Sequence, residues 1–161
     1  MILIAYDGSD DAKQAIVQAA ALFPGGSAMI LTVWQRFIDT MSRAGIAIGA
    51  PTVMDLDEVD NATERAAREA AQAGAAQATG LGLAVKAETA LVRSTVADAV
   101  LHEASRVEAQ AIVMGSRGLT GLKSAFLGSV SSAVLHHADR PVVVVPSPEV
   151  AAARAKHLAG D

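Results

Sequence analysis

The chain has no cysteine. A disulfide framework, a thiolate metal site and a cysteine nucleophile are all excluded. Aromatic side chains make up only 3% of the 161 residues, too few to stack a run of bases. Thirteen Lys and Arg stand against 17 Asp and Glu, a net charge of −4 with no basic stripe, so no nucleic-acid partner is expected. No apolar run reaches the ~18 residues of a membrane-spanning helix, and no membrane partner is expected. Met1 leads straight into residues 2–6, which read as a strand and not as a charged leader; the expectation is a cytoplasmic protein. The four histidines, His102, His136, His137 and His157, lack zinc-site spacing, and the 136/137 neighbours point in different directions on a helix. No glycine-rich segment ends in Gly-Lys-Ser/Thr, and only Asp7-Gly8 follows the first strand where a dinucleotide fold carries its glycine fingerprint. A P-loop is thereby excluded, and NAD or FAD is disfavoured.

What is present is alternation. Hydrophobic residues are 52% of the chain, mostly Ala, Val, Leu and Ile, as suits buried strands flanked by Ala-rich helices. The length fits one domain. Residues 2–6 form the first strand, and Ser9 or Asp10 is placed to cap a helix to about Phe23, with Ala12, Ile16, Ala19 and Ala20 on its apolar face. Pro24-Gly25-Gly26 stops that helix, and residues 28–34 make a second strand. Residues 35 to about 55 mix Gly45, Gly49 and Pro51 with scattered apolar side chains and read as a long, partly mobile loop. A charged, Ala-rich helix follows over 56–79. Residues 83–92 alternate as a strand with one polar face (Lys86, Glu88), which suits a sheet edge. Thr95 with Asp98 fits a capping box for a helix to about Arg106. Residues 111–114 are the fourth strand, 129–138 a helix and 141–145 a fifth strand, whose four valines suit burial on both faces. Residues 147–161 are an Ala-rich tail of weak helical tendency. The order β-α-β-α-β-α-β-α-β implies an α/β fold: an open, doubly wound, parallel sheet with right-handed crossovers. Ligands bind such sheets beyond the strand carboxyl ends, where the strand order reverses. Were strands one and four neighbours, the Asp7 turn and the loop after Met114 would meet there.

That loop carries the chemistry. Residues 111–114 run into GSRGLTGLKSAFLGSVSS, so a buried strand ends in a glycine-rich segment that reaches a helix start. Free backbone N–H groups and the positive end of the helix dipole suit a phosphate. Gly115 ends the strand where a side chain would crowd a ligand over the sheet. Gly118 lets the backbone turn toward the phosphates. Gly128 removes a Cβ at the helix entrance, and Ser129 and Ser131 add hydroxyl donors.

The opening ILIAYDGSD and the pattern Gly-x-x-Gly, nine residues, Gly-Ser at Gly115, Gly118, Gly128 and Ser129 resemble the universal stress proteins, as do the flanks SRGLTGLKSAFLGSVSSAVLHHADRPVVVV. The resemblance spans residues 1–146, is strong in the last third and loose over 35–82, leaving 147–161 as an unassigned tail. It implies a five-stranded parallel sheet of order 3-2-1-4-5, Rossmann-like and similar to the adenine nucleotide alpha hydrolases. It also implies a homodimer joined along strand 141–145, and ATP, AMP or ADP with Mg²⁺ as cofactor. Ala5, Tyr6 and Asp7 would border the adenosine, with the Asp7 carboxylate near the ribose or a metal, or else serving only as a turn residue. Val33 would flank the adenine with its backbone. Met114 and Gly115 would lie against the nucleoside. Gly118, Gly128, Ser129, Val130 and Ser131 would surround the phosphates. Arg117 either reaches a terminal phosphate or sits in solvent, and Lys123 is solvated.

An ATPase needs a group that orients water and neutralises charge developing on the γ-phosphate. No water-positioning Gln or Glu and no second acidic metal ligand stands out. His102, His136 and His137 read as structural or exposed, and a Ser9-His136-Asp7 set has no Gly-x-Ser-x-Gly elbow to organise it. The expectation is binding without designed turnover, in a nucleotide-dependent stress-response or signalling protein with a protein partner the sequence does not name. A non-binding interaction module and a slow ATPase are the alternatives.

Overall fold

The structure, a computed structural model, describes residues 1–43, 56–119 and 127–158. Strands β1 (Ile2–Ala5), β2 (Ser27–Trp34), β3 (Ala84–Leu91), β4 (Ile112–Gly115) and β5 (Val142–Val145) form one sheet. Its order is β3-β2-β1-β4-β5, and every pairing is parallel. Helices α1 (Asp10–Leu22), α2 (Phe37–Arg43), α3 (Leu56–Gly80), α4 (Val96–Arg106), α5 (Ser129–His137) and α6 (Pro148–Leu158) complete the described chain. The doubly wound sheet expected from the alternation is present.

Strand side chains alternate between two cores, as the pleat requires. Ile2, Ile4, Ile30 and Val113 pack with Ala12, Ile16, Ala71 and Ala78 under α1 and α3. Leu3, Met29, Leu31, Ile112 and Met114 pack with Ala97, Val100 and Val134 under α4 and α5. Gly74 lets α3 approach closely: a Cβ there would lie 3.0 Å from the Tyr6 ring and 3.1 Å from Ile30. The ring of Tyr6 is thus committed to the α3 side of the sheet.

Helix starts follow their sequence signals. Ser9 Oγ accepts from Ala12 N at 3.2 Å and caps α1. Thr95 Oγ1 accepts from Asp98 N at 3.0 Å and caps α4, as expected. The hydroxyls of Ser94 and Thr95 in turn hold the Asp98 carboxyl below its ordinary value. Thr95→Ala should cost about 1 kcal/mol, read as a lower chemical-denaturation midpoint at neutral pH. The sign with pH is fixed: a depressed folded-state value gives stability that is present above the unfolded value and is lost as pH falls through the folded one. The cost of Thr95→Ala should therefore shrink in acid, below the ordinary carboxylate range.

The segment after β2 differs from its expectation. Phe37–Arg43 is a helix rather than loop, while the remainder of that loop reading, 44–55, lies outside the described residues. Arg36, the residue before it, has no acceptor in its side chain to cap the helix. Asp60 of α3 accepts from Phe37 N at 2.7 Å, a cap contributed from 23 residues away. Strand β5 is the sheet edge, as the order 3-2-1-4-5 implies, but it is less covered than its four valines suggest: residues 142–144 are half-buried and Val145 alone is buried. The tail is helical as α6, and residues 151–156 are exposed throughout. No described helix is long and apolar enough to cross a membrane.

Candidate functional site

The strand order reverses between β1 and β4, where Leu3, Ile4 and Ala5 pair with Ile112, Val113 and Met114. Beyond their carboxyl ends lies a cleft of about 190 Å³. Ala5, Tyr6 and Asp7 line it from β1, Val33 from β2, and Met114, Gly115, Arg117 and Gly118 from β4 and its loop. Gly128, Ser129, Val130 and Ser131 close it from the start of α5. The sequence-expected residues are therefore assembled in one place. Ala12, Leu31, Val96 and Val100 also line it and were not singled out. Val96 and Val100 are one turn apart on the inner face of α4 and look like ordinary core; only the topology turns that face into a wall. Lys123 lies outside the described residues.

One wall carries unused backbone. Tyr6 N donates to Leu31 O at 2.9 Å, so the odd residues of β2 direct N–H and C=O toward β1. Trp34 O accepts from Val92 N at 2.8 Å and shows that the even residues face β3. The β1 pairing ends at Ala5 opposite Leu31. Val33 is the next odd residue, and its donor and acceptor open into the cleft.

The loop is tightly tied. Ser116 is buried; its N–H donates to Val145 O at 2.7 Å, and its O accepts from Gly128 N at 2.8 Å. Ser131 is buried too, and its hydroxyl donates either to Ser116 O at 2.9 Å or to Gly128 O at 3.0 Å. The Ser131 hydroxyl, expected to add a donor at the phosphates, here acts as a strut between backbone carbonyls. Asp7 Oδ1 accepts from Ser9 N at 3.0 Å, and Oδ2 from Leu119 N at 3.2 Å. Asp7 therefore shapes the turn, and it also fastens the glycine loop to β1.

The glycine roles change accordingly. A Cβ on Gly115 would lie 2.7 Å from Asp11 Cβ and 2.9 Å from Ala12 N, so this glycine admits α1 against β4 rather than a ligand. Gly118 is not among the residues with positive φ, so it is not needed for a left-handed turn. Its Cβ would instead lie 2.7 Å from Asp7 Oδ2. Gly128 has φ −64° and is the N-cap of α5, with no side-chain cap and no acidic residue in the first turn. A Cβ there would meet Ser116 O at 3.3 Å. The N–H groups of Ser129, Val130 and Ser131 belong to a first turn that has no intrahelical acceptors. They lie at the cleft with the positive end of the dipole behind them.

Of the side chains lining the cleft among the described residues, only Asp7, Arg117 and Tyr6 are ionisable. Arg117 is a fifth exposed, with Nε 4.0 Å from Asp11 Oδ2. His102, His136 and His137 are exposed, as expected, although the last two rings meet edge to face at 4.8 Å. No group of three or more potential metal ligands occurs among the described residues. Ser9 is used as a cap, and no hydrogen bond joins His136 to Ser9 or Asp7 among the described residues.

A model of the universal stress protein family matches residues 1–146. A universal stress protein of Thermus aquaticus is 34% identical over 146 residues, covering 89% of this chain and 96% of that protein. One of Bacillus subtilis is 32% identical, covering 89% and 97%. The solved UspA of Lactobacillus plantarum superposes with a TM-score of 0.69 at 23% identity, covering 89% and 95%. Other solved members of the same fold hold adenine nucleotides. One contains cAMP (TM-score 0.60, 20% identity, covering 91% and 96%). One from Archaeoglobus fulgidus contains dAMP (0.56, 20%, covering 89% and 95%). One from Arabidopsis thaliana contains AMP (0.60, 16%, covering 90% of each chain). The strand order, the switch-point cleft with its glycine loop and the match over residues 1–146 agree: the chain belongs to the universal stress protein family.

Proposed function

We propose that the cleft binds an adenine nucleotide, ATP above all with ADP and AMP as alternatives, and that the protein acts in stress response as a nucleotide-dependent signalling component in the cytoplasm. The observation that carries this reading is the pairing of two ends. At one end Val33 offers a backbone donor beside a backbone acceptor. Adenine offers the matching acceptor at N1 and donor at N6, whereas guanine reverses both. At the other end the uncapped N–H groups of α5 await an anion. Between them Leu31, Val96, Val100 and Met114 supply an apolar slot. Family members that hold AMP, dAMP and cAMP support the same class of ligand.

Mg²⁺ commonly rests on one carboxylate and phosphate oxygens. Asp7 fits that part, since each of its oxygens accepts a single N–H and keeps a lone pair. When bound, the ion would neutralise phosphate charge, with Asp7 as its protein ligand. The reading is binding rather than turnover, because phosphoryl transfer to water needs a water-orienting group and the charged side chains at the cleft are Asp7 and Arg117. The edge strand β5, paired only with β4 among the described residues, suits the homodimer proposed along 141–145.

Freshly purified protein should release adenine nucleotide detected by mass spectrometry. Stripped protein should gain about 2.7 kcal/mol at an ATP concentration 100 times Kd. That gain is a rise in melting temperature of roughly 5–11 °C. GTP should bind at least about tenfold more weakly, because each reversed base contact leaves a polar group unpaired. Gly118→Val should abolish the ATP shift while leaving the ligand-free melting temperature close to the parent's, since its Cβ meets only the end of the Asp7 side chain. Protein that carries no nucleotide and melts at one temperature with or without millimolar ATP overturns the reading.

A further inference from the structure

We infer that Asp11 is a positioning residue for the phosphate end of the cleft, holding both halves of the glycine loop in register from the first turn of α1. The inference rests on the adenine-nucleotide reading above and goes beyond it. Asp11 is buried and does not line the nucleotide cleft. Its Oδ2 accepts from Ser116 Oγ at 2.6 Å and from Arg117 N at 3.0 Å. Ser116, fixed in this way, presents its carbonyl to Gly128 N at 2.8 Å and to Ser131 Oγ at 2.9 Å. One carboxylate oxygen therefore sets the segment after β4, and that segment sets the N-terminus of α5.

Three details set this apart from ordinary capping. Ser9 already caps α1, so the helix does not need Asp11. The Arg117 N–H is taken up by Asp11, so among the described residues of the loop this donor serves the protein and not the ligand. A buried carboxylate needs partners, and those of Asp11 belong to the loop itself: Ser116 Oγ, Arg117 N and, at 4.0 Å, Arg117 Nε.

The charge and the geometry separate in Asp11→Asn. Both donors use the same oxygen, and an amide oxygen can replace it. Binding of ATP and of adenosine should be measured calorimetrically on the parent, Asp11→Asn and Asp11→Ala. Asp11→Ala should weaken ATP about tenfold and leave adenosine within about twofold, because only the phosphate end loses its support. Asp11→Asn should bind both ligands within about twofold of the parent, because the amide oxygen keeps both contacts to the loop. If Asp11→Ala does not fold, Ser116→Ala should show the same split at about threefold, having lost one of the two contacts. Equal losses for ATP and adenosine, or none for either, overturn the inference.

Amide hydrogen exchange on ligand-free protein gives a readout free of nucleotide. Asp11→Ala should speed exchange at Arg117 and Gly128 while the β1 amides keep their protection. If the parent binds no nucleotide yet these amides loosen, the functional reading fails and the positioning role stands. If they do not loosen, the positioning role fails whatever the parent binds.

Discussion

Gly115→Val should lower the melting temperature by roughly 6–12 °C, corresponding to about 3 kcal/mol, the upper end of what overpacking costs. Even a bare Cβ would stand 2.7 Å from Asp11 Cβ, 2.9 Å from Ala12 N and 2.9 Å from Asp11 C. Two of those atoms are backbone of the first turn of α1, so a rotamer change cannot relieve the clash. The whole helix start must shift, and with it Ser9 over the Asp7 turn and Asp11 beneath the loop. Scanning calorimetry on ligand-free protein measures the effect directly. A variant that melts within about 2 °C of the parent would show that α1 does not depend on this close approach. Gly118→Val is the contrast, because its Cβ meets a carboxylate oxygen at the end of a side chain that can rotate away. Nucleotide lost in the Gly115 variant thus reports on the fold, and nucleotide lost in the Gly118 variant reports on the site.

Much of this arrangement is legible in the chain because its signals are local. The Asp-Gly-Ser turn, the Thr95 cap and the valine-rich strands each act within a few residues, and connections of helix length leave parallel pairing as the outcome. From there the switch point follows, and with it the meeting of Asp7 and Gly118. What the sequence hides depends on contacts between distant segments. Helix α2 takes its cap from Asp60, so nothing near Phe37 announces a helix start. Asp11 sits beside Ser9 and Asp10 in a run of polar residues that all suit a cap. Its inward direction appears only when β4 brings Ser116 105 positions along the chain to meet it. The glycine pattern marks the right positions but not their reasons: the same residue type makes room for a helix at 115, for a carboxylate at 118 and for a carbonyl at 128. Ser131 has the composition of a phosphate donor and the geometry of a strut, a distinction that rests on where two carbonyls point.

Arg140→Met should cost about 3 kcal/mol, because it removes a charged donor from carbonyls that water cannot reach. The guanidinium spans the end of α4: Nη1 donates to Ala104 O at 2.7 Å and to Ala109 O at 2.9 Å, and Nη2 to Ser105 Oγ at 3.2 Å. Both alanines are buried. This is also where the backbone is least comfortable. Ala109 N bonds Ala104 O at 2.8 Å and Glu108 N bonds Ser105 O at 3.1 Å, an αL helix stop with Glu108 at φ 48°. A residue with a Cβ costs about 1–2 kcal/mol in that conformation, and the Arg140 fork braces it from the side. Asp139 adds its own contacts to Arg140, at 2.7 and 3.1 Å, and the hydrogen bond from Arg140 holds the Asp139 carboxyl below its ordinary value. A carboxyl depressed in the folded state stabilises above its unfolded value and ceases to do so as pH falls through its folded one. The gap between parent and variant should therefore narrow in acid, yet most of it should persist, since the carbonyl contacts do not titrate. Urea unfolding at neutral pH and at about pH 3 separates the two parts. A full-sized gap that closes entirely in acid would assign the whole effect to the ion pair and reject the carbonyl brace. Because α4 carries Val96 and Val100 into the cleft wall, the variant should also weaken adenosine and ATP alike, the opposite of the split expected at Asp11.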